Sequence, residues 1–328
     1  MLQRAVCILV GFTLPMTFAT GRQSASSAAV GRGNAQWTTD TGYTPDSSPP
    51  RRVVMRHPVE VPLLRPNARD SRAQVEVMVN GKGPYRFDIE TGAREIGISR
   101  VLAESLGLRR IGGPDDYREY HLDSIAVGSA TFHDMPVAQL PPGVNGVDGV
   151  LGLPFYQNVL LTIDYPGHVV RLSRDALPAP NGADIVPMVR IDAFWGIAVR
   201  LADKAFDAVL DTQNSGSISI PPSIADMLPF TGGLQTLGRA RGTFGVIDIK
   251  GGKLAGDLVI GRYTFPTPFL DVMQLPPEFP RRPNIGTHLL DGFVVSIDQR
   301  HARLRLSRAG DPVVHLPEPG RGRGAPPM

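Results

Sequence analysis

The chain has 328 residues, of which 42% are hydrophobic and 20% are charged, and its formal net charge is +3. Basic and acidic residues are interspersed through most of the chain, so the small charge excess gives no support for a nucleic-acid-binding surface. The only cysteine is Cys7, which excludes a disulfide framework.

The N-terminus has the pattern of an export signal. Arg4 precedes a mainly apolar run over residues 5–19, which is too short to span a bilayer. We therefore expect a signal peptide over residues 1–19 and a secreted or periplasmic protein with no stable membrane span after cleavage. A buried helix is the alternative.

Segments of low complexity lie at both ends of the remaining chain. Residues 20–58 are rich in Gly, Ser, Ala, Thr, Pro and Arg, and this composition predicts a flexible leader. A propeptide is the functional alternative for the same segment. Residues 310–328 are rich in Pro, Gly and Arg and predict a disordered tail.

The central part of the chain has the pattern of an all-β protein with few short helices. Short alternating strands are separated by turn residues, and the chain contains 36 Gly and 31 Pro. Its length of about 250 residues is enough for two lobes, each with its own core, and we place them at 59–180 and 181–309. The first strand has Val75, Val77 and Val79 on one face, and the turn chemistry of residues 81–84 predicts a hairpin.

The return strand of this hairpin leads into an acidic turn. Tyr85, Phe87 and Ile89 alternate on one face, and the strand then reaches the turn Glu90-Thr91-Gly92-Ala93. Ser99 is a suitable N-cap for a short helix over residues 100–106.

A second copy of this arrangement follows about 120 residues later. Ile197, Val199 and Leu201 alternate, and the next strand reaches Asp211-Thr212-Gln213. A predicted helix over residues 222–228 follows. Later features repeat at one shared spacing of 134 residues, namely Leu151-Gly152 with Ile285-Gly286, Ile163-Asp164 with Ile297-Asp298, and Arg171-Leu172 with Arg305-Leu306. An ordered series of this kind predicts an internal duplication.

These motifs resemble those of aspartic peptidases, particularly the bacterial retropepsin-like branch. The acidic turns are similar to that family's Asp-Thr-Gly motif, and the segments at 148–153 and 284–287 resemble its apolar-apolar-Gly segment. The resemblance implies a two-lobed β-barrel fold in which both acidic turns meet at a cleft. It implies Glu90 and Asp211 as the catalytic pair, supported by Thr91, Gly92 and Thr212. Two adjacent carboxyls share one proton, so one activates a water while the other protonates the scissile carbonyl.

Two positions depart from the family motif. Glu90 stands where the family has Asp, which moves the carboxyl by about 1.5 Å, roughly one C–C bond. Gln213 stands where the family has Gly, and we expect it to strain the turn or to enter the cleft. Asp88 is a further carboxylate on the strand face of Glu90, but its position in the motif is wrong.

Other readings of these residues remain open at this point. Glu90 is either catalytic or a solvated turn residue that accepts backbone hydrogen bonds. Residues 109–122 occupy the place of the family's flap, where Tyr117 and Tyr120 either contact substrate or cover a core edge. Asp164 and Asp298 are expected to end strands rather than to perform chemistry.

The sequence leaves two functions from different classes. One is an aspartic-type endopeptidase acting on an extended peptide or protein substrate, and the other is an inactive homologue that binds peptide or a partner protein in the same cleft. No zinc-ligand spacing, serine nucleophile elbow or Walker loop is present, so no metal or cofactor is expected. Because one chain carries both half-sites, we expect a monomer.

Overall fold

A computed structural model describes residues 47–65, 72–141, 146–242, 245–274 and 281–311, without the side chains of 240–247. The predicted signal peptide, most of the leader and most of the tail lie outside the described residues. The described part is mostly β-structure, as predicted. None of its helices is long and apolar enough to cross a membrane.

In the first half of the chain, the described residues form eleven strands and two short helical turns. In chain order they are β1 (Arg52–Val54), β2 (Val59–Pro62), β3 (Gln74–Val79), β4 (Lys82–Ile89), β5 (Gly97–Ile98), α1 (Arg100–Ser105), β6 (Arg110–Gly112), β7 (Glu119–Val127), β8 (Ala130–Gln139), β9 (Gly149–Leu151), a 3₁₀ helix (Leu153–Tyr156), β10 (Leu160–Asp164) and β11 (Val169–Ser173).

The second half repeats this pattern and includes one longer hairpin. Its elements are β12 (Ile185–Ile191), β13 (Phe194–Leu201), β14 (Lys204–Leu210), β15 (Ile218–Ile220), α2 (Pro222–Ala225), β16 (Phe230–Gly242), β17 (Gly245–Leu254), β18 (Asp257–Ile260), β19 (Tyr263–Pro266), β20 (Phe269–Met273), β21 (Asn284–Ile285), α3 (Thr287–Leu290), β22 (Val294–Asp298) and β23 (Arg303–Ser307).

The first lobe is a closed six-stranded barrel. Its strands follow the order β8-β5-β9-β4-β3-β7, and pairing of β7 with β8 closes the ring. Val75, Val77 and Val79 point inward and are at most 1% exposed, whereas Glu76 and Met78 face outward. The predicted alternation is therefore confirmed.

The second lobe has the same strand pairing, which confirms the predicted duplication. In the first lobe β4 pairs parallel with β9, β9 antiparallel with β5, and β5 parallel with β8. In the second lobe β14, β21, β15 and β20 repeat these three pairings in the same directions.

A sheet of six antiparallel strands joins the lobes. Its order is β2-β11-β10-β22-β23-β12, and the central pair β10–β22 brings together the two repeats. Thr162 lies opposite Ser296, and their hydroxyls are 2.8 Å apart. Asp164 and Asp298 each end one of these two strands, as predicted.

Three local predictions need correction. The hairpin turn lies at Asn80-Gly81, where both residues have positive φ, and residues 82–84 already belong to β4. The predicted helix over 222–228 ends at Ala225. Arg52–Val54, assigned to the flexible leader, forms β1 against β8 because backbone pairing extends the first sheet beyond the barrel. The predicted cap is confirmed, since the Ser99 hydroxyl accepts a hydrogen bond from the Leu102 N–H.

Candidate active site

Equivalent strand ends hold the two acidic turns. Glu90 follows β4, and its N–H donates to the Leu151 carbonyl of β9 at 3.1 Å. Asp211 follows β14, and its N–H donates to the Ile285 carbonyl of β21 at 3.0 Å. Each apolar-apolar-Gly segment therefore fixes the backbone of one acidic residue.

The glycines after these strands permit close packing. A Cβ on Gly152 would overlap the carbonyl oxygen of Glu95, and a Cβ on Gly286 would lie 2.5 Å from the carbonyl oxygen of Asn214. Both residues lie in the segments that follow the acidic turns. Glycine at these two positions thus lets each turn fold back against its supporting strand.

Reciprocal hydrogen bonds between Thr91 and Thr212 join the two turns. The Thr91 N–H donates to the Thr212 hydroxyl oxygen at 3.0 Å, and the Thr212 N–H donates to the Thr91 hydroxyl oxygen at 3.1 Å. Each hydroxyl also donates across the lobe boundary, from Thr91 to the Leu210 carbonyl and from Thr212 to the Ile89 carbonyl. Both threonines are buried, so this four-bond arrangement holds the acidic turns side by side.

Asp211 lies directly against the first-lobe turn. A Cβ on Gly92 would be 2.7 Å from the Asp211 Cγ, so only glycine allows this approach without a shift. Asp211 is fully buried and accepts hydrogen bonds from the Gln213 and Asn214 N–H groups and from the Asn284 side-chain amide. Burial raises the Asp211 pKa, while these three hydrogen bonds oppose the rise.

The environment of Glu90 differs from that of Asp211, because it offers no hydrogen bonds from described residues. Glu90 is fully buried, and neither carboxyl oxygen has a hydrogen-bond partner among the described residues. Burial raises the Glu90 pKa well above its usual value, and the charges of Asp211, Asp88 and Glu95 raise it further. The alternative of a solvated, backbone-bonded turn residue is therefore wrong, and of the two carboxyls it is Asp211 whose surroundings favour the charged form more.

Asp88 is occupied by other partners. Its oxygens accept hydrogen bonds from the side chains of Arg72 at 3.2 Å, Gln74 at 2.7 Å and Gln213 at 2.6 Å. All four side chains are buried. A carboxylate held in this way stabilises the lobe boundary, and three of its roughly four lone-pair sites already accept hydrogen bonds.

Gln213 does not strain its turn. Its φ is not among the positive values of the chain, and its side chain crosses the lobe boundary to Asp88. The expectation of strain from a side chain at the family's glycine position is therefore wrong, because the backbone here adopts a conformation open to any residue.

The predicted flap is the hairpin formed by β6 and β7. Arg110 pairs with Tyr120, and the turn at residues 113–118 connects the strands. Tyr117 and Tyr120 are 7% and 4% exposed, so they cover a core edge in this conformation. In the second lobe, residues 239–242 and 245–250 belong to the much longer hairpin β16–β17.

A buried carboxyl pair near the flap was not predicted. Glu95 is 3% exposed, its nearest cation is Arg94 at 4.0 Å, and Glu119 of β7 acts on it electrostatically. Burial raises the Glu95 pKa to about 7. The sequence offers little signal for this burial, because Glu95 follows a charged residue outside any alternating strand.

Within the described ranges no cluster of three or more His, Cys, Asp or Glu forms a metal site.

Comparisons with known proteins support the resemblance found in the motifs. The family model described as Aspartyl protease matches residues 75–155, which include Glu90, Thr91 and Gly92. A retropepsin-like aspartic protease from Rickettsia conorii is 19% identical, over 35% of this chain and 90% of that one, with a TM-score of 0.29. Among curated proteins none matches the chain. Over residues 75–155 the chain is thus similar to aspartyl proteases, which confirms the resemblance to aspartic peptidases predicted from the motifs.

Proposed function

We propose that the chain is an aspartic-type endopeptidase in which Asp211 and Glu90 form the catalytic pair. The observation that carries this proposal is the reciprocal bonding of Thr91 and Thr212, which sets the two acidic turns side by side. The match of residues 75–155 to aspartyl proteases supports the hydrolase class.

The different surroundings of the two carboxyls assign their roles. Asp211 accepts three hydrogen bonds that favour its ionised form, so it is the general base. Neither carboxyl oxygen of Glu90 has a hydrogen-bond partner among the described residues, and burial disfavours its charge, so Glu90 carries the shared proton and is the general acid.

The reaction then follows with all protons accounted for. Asp211 takes a proton from water as the water oxygen bonds to the peptide carbonyl carbon, and Glu90 gives its proton to the carbonyl oxygen. The resulting diol collapses when the peptide nitrogen takes the proton from Asp211 and the C–N bond breaks. One diol hydroxyl returns its proton to Glu90, which restores the pair.

Peptide access requires movement, because both carboxyls are fully buried in this conformation. We propose that the hairpin β6–β7 opens to admit the substrate. Its turn includes the exposed residues Asp115 and Asp116, and Arg110 and Arg118 form ion pairs with Asp115 within the hairpin itself. Such exposed pairs are weak and are compatible with opening.

A second candidate is an inactive homologue that binds peptide or a partner protein at the same place. The full burial of both carboxyls and the side chain of Gln213 at the family's glycine position favour this reading. The two candidates differ in chemistry but share the binding site.

Cleavage of a random peptide mixture from pH 3 to 8 separates the candidates. The variants are Asp211→Asn and Glu90→Gln, with the exposed residues Asp226→Asn and Glu104→Gln as matched controls. We expect a loss of about a hundredfold or more in both site variants, the usual contribution of a general acid or base. Loss only in Asp211→Asn would exclude Glu90 as the acid. No cleavage by the folded wild type at any pH would reject the peptidase.

The proposed place of action is outside the cytoplasm. It depends on the signal predicted over residues 1–19, which lies outside the described residues. Cell fractionation of the full chain, compared with a chain lacking that segment, tests it.

A further inference from the structure

Asp271 places a carboxyl beside the turn that carries Asp211. It lies on β20 opposite Ser219 of β15 and Gly251 of β17. A Cβ on Gly216 would be 2.8 Å from an Asp271 carboxyl oxygen. Gly216 belongs to the segment directly after Asp211, so the Asp271 carboxyl borders the candidate active site on its second-lobe side.

The network around Asp211 reaches the same sheet face. Asn214 donates its N–H to Asp211, and its side-chain amide donates to the Ser219 hydroxyl at 3.2 Å. The Gly216 N–H in turn donates to the Asn214 side-chain oxygen at 2.9 Å. Because paired residues of adjacent strands share a face, Ser219 and Asp271 face this network together.

The Asp271 carboxyl is partly buried and has no hydrogen-bond or ion-pair partner among the described residues. His288 acts on it only electrostatically, and on β17 Lys250 and Lys253 pair with Val272 and Phe269 rather than with Asp271. Burial raises the Asp271 pKa to about 6. A partly desolvated carboxyl of this kind gains stability from an added cation.

The surroundings of Asp271 also offer room and apolar surface. Gly216 and Gly251 have no side chains, and Gly251 lies against Phe269 and Leu237. Phe269 and Leu237 are 49% and 40% exposed. Phe269 shares a strand face with Asp271, because the two residues are two positions apart on β20. A lysine or arginine side chain combines an apolar stem with a cationic end, so its stem suits these residues and its end suits Asp271.

We propose that Asp271 forms a subsite for a lysine or arginine side chain of the peptide bound at this site. The inference rests on the proposed function only in placing a peptide there, and it holds for a binding cleft as well as for a peptidase. The substrates would then be peptides with a lysine or arginine near the part of the peptide that faces Asp211.

The test measures binding and cleavage with the same peptides. Fluorescent extended peptides that contain lysine are compared with peptides in which norleucine replaces lysine, using the full chain and fluorescence anisotropy. We expect the wild type to bind the lysine peptide about tenfold more tightly than the norleucine peptide, as for a charge-assisted hydrogen bond of moderate strength. Asp271→Asn should remove this preference, whereas Asp271→Glu and the exposed control Asp226→Asn should keep it.

The outcomes separate this inference from the proposed function. A lysine preference in binding that Asp271→Asn abolishes supports the subsite even if no peptide is cleaved. Cleavage without a lysine preference, or a preference that survives in Asp271→Asn, overturns the subsite and leaves the peptidase in place. If neither peptide binds nor is cleaved, both proposals fail. Urea unfolding of each variant shows that a lost preference does not come from a lost fold.

Discussion

The side-chain amide of Gln213 donates a hydrogen bond of 2.6 Å to Asp88 in the other lobe. Gln213 follows Asp211 and Thr212 in the second acidic turn, while Asp88 lies two positions before Glu90 of the first. This bond therefore ties the flank of one acidic turn to the flank of the other. It adds to the threonine bonds at the centre and gives a physical role to the residue that departs from the family motif.

Removal of this amide should weaken the contact between the lobes. Gln213→Ala removes one of the hydrogen-bond donors to the buried Asp88 carboxylate. We expect a loss of about 1–3 kcal/mol in the free energy of unfolding. Gln235→Ala, on the exposed part of β16, should change that free energy by less than about 0.5 kcal/mol. Urea unfolding of both variants measures the difference. Equal stability of the two would show that the bond to Asp88 contributes nothing.

Thr91 offers a second test of the lobe contact. Thr91→Val removes the hydroxyl that donates to the Leu210 carbonyl and accepts from the Thr212 N–H, so two buried backbone groups lose their partner. We expect a loss of roughly 2–4 kcal/mol in the free energy of unfolding. Thr91→Ser keeps the hydroxyl and should be much less affected.

The measurement for Thr91 combines urea unfolding with the cleavage assay. If Thr91→Val were as stable and as active as Thr91→Ser, the hydroxyl would have no role in joining the turns. A matched loss of activity and stability in the valine variant alone would support the pairing of the two acidic residues.

The repeated pattern made the fold and the position of the two turns predictable. Alternation in β3 and β4, the motif at Asp211 and the shared spacing of 134 residues all depend on local sequence. The Asn80-Gly81 turn was also visible as an Asn-Gly pair, although the glycine-rich residues after it suggested a later turn. Strand β1 was missed because three residues in an Arg- and Pro-rich segment carry no periodicity.

The chemistry of the site was less predictable, because it depends on contacts between distant parts of the chain. Gln213 and Asp88 are 125 residues apart, and nothing local shows that one side chain reaches the other. The same holds for the burial of Glu90 without a hydrogen-bond partner among the described residues, since a glutamate in a turn is usually solvated. The raised Glu95 pKa likewise depends on burial, with a smaller effect from the charge of Glu119 on β7.

Gly92 provides a direct test of the close approach between the turns. In Gly92→Ala the new Cβ would lie 2.7 Å from the Asp211 Cγ, so the two turns must move apart. Because a misplacement of about 1 Å can reduce a rate on the order of a hundredfold, we expect cleavage to fall by about that factor. Overpacking should also lower the free energy of unfolding by about 1–3 kcal/mol.

The control for Gly92 is another glycine with ordinary backbone geometry. A Cβ at Gly292 would meet no atom within 4 Å, so Gly292→Ala should leave both activity and stability nearly unchanged. Full activity in Gly92→Ala would show that the Asp211 carboxyl does not need to lie against the first-lobe turn.

The buried carboxyls predict an unusual dependence of stability on pH. The folded-state pKa of Glu95 is about 7, above its usual 4.5, because burial opposes the charge. A raised pKa in the folded state means that the stabilising contribution is complete below about pH 4.5 and is lost as the pH rises toward 7. Each pH unit in this window corresponds to ~1.4 kcal/mol, so Glu95 alone accounts for roughly 3 kcal/mol.

Glu95→Gln isolates this contribution, because glutamine stays neutral across the whole window. We expect the free energy of unfolding of the wild type to fall between pH 4.5 and 7.5, and the fall to be smaller by roughly 3 kcal/mol in the variant. The surface acids with lowered pKa, such as Asp115 and Asp134, affect stability only at lower pH and do not obscure the effect. Urea unfolding at the two pH values measures it, with Glu104→Gln as the exposed control. An equal fall in wild type and Glu95→Gln would mean that Glu95 ionises in the folded protein without penalty.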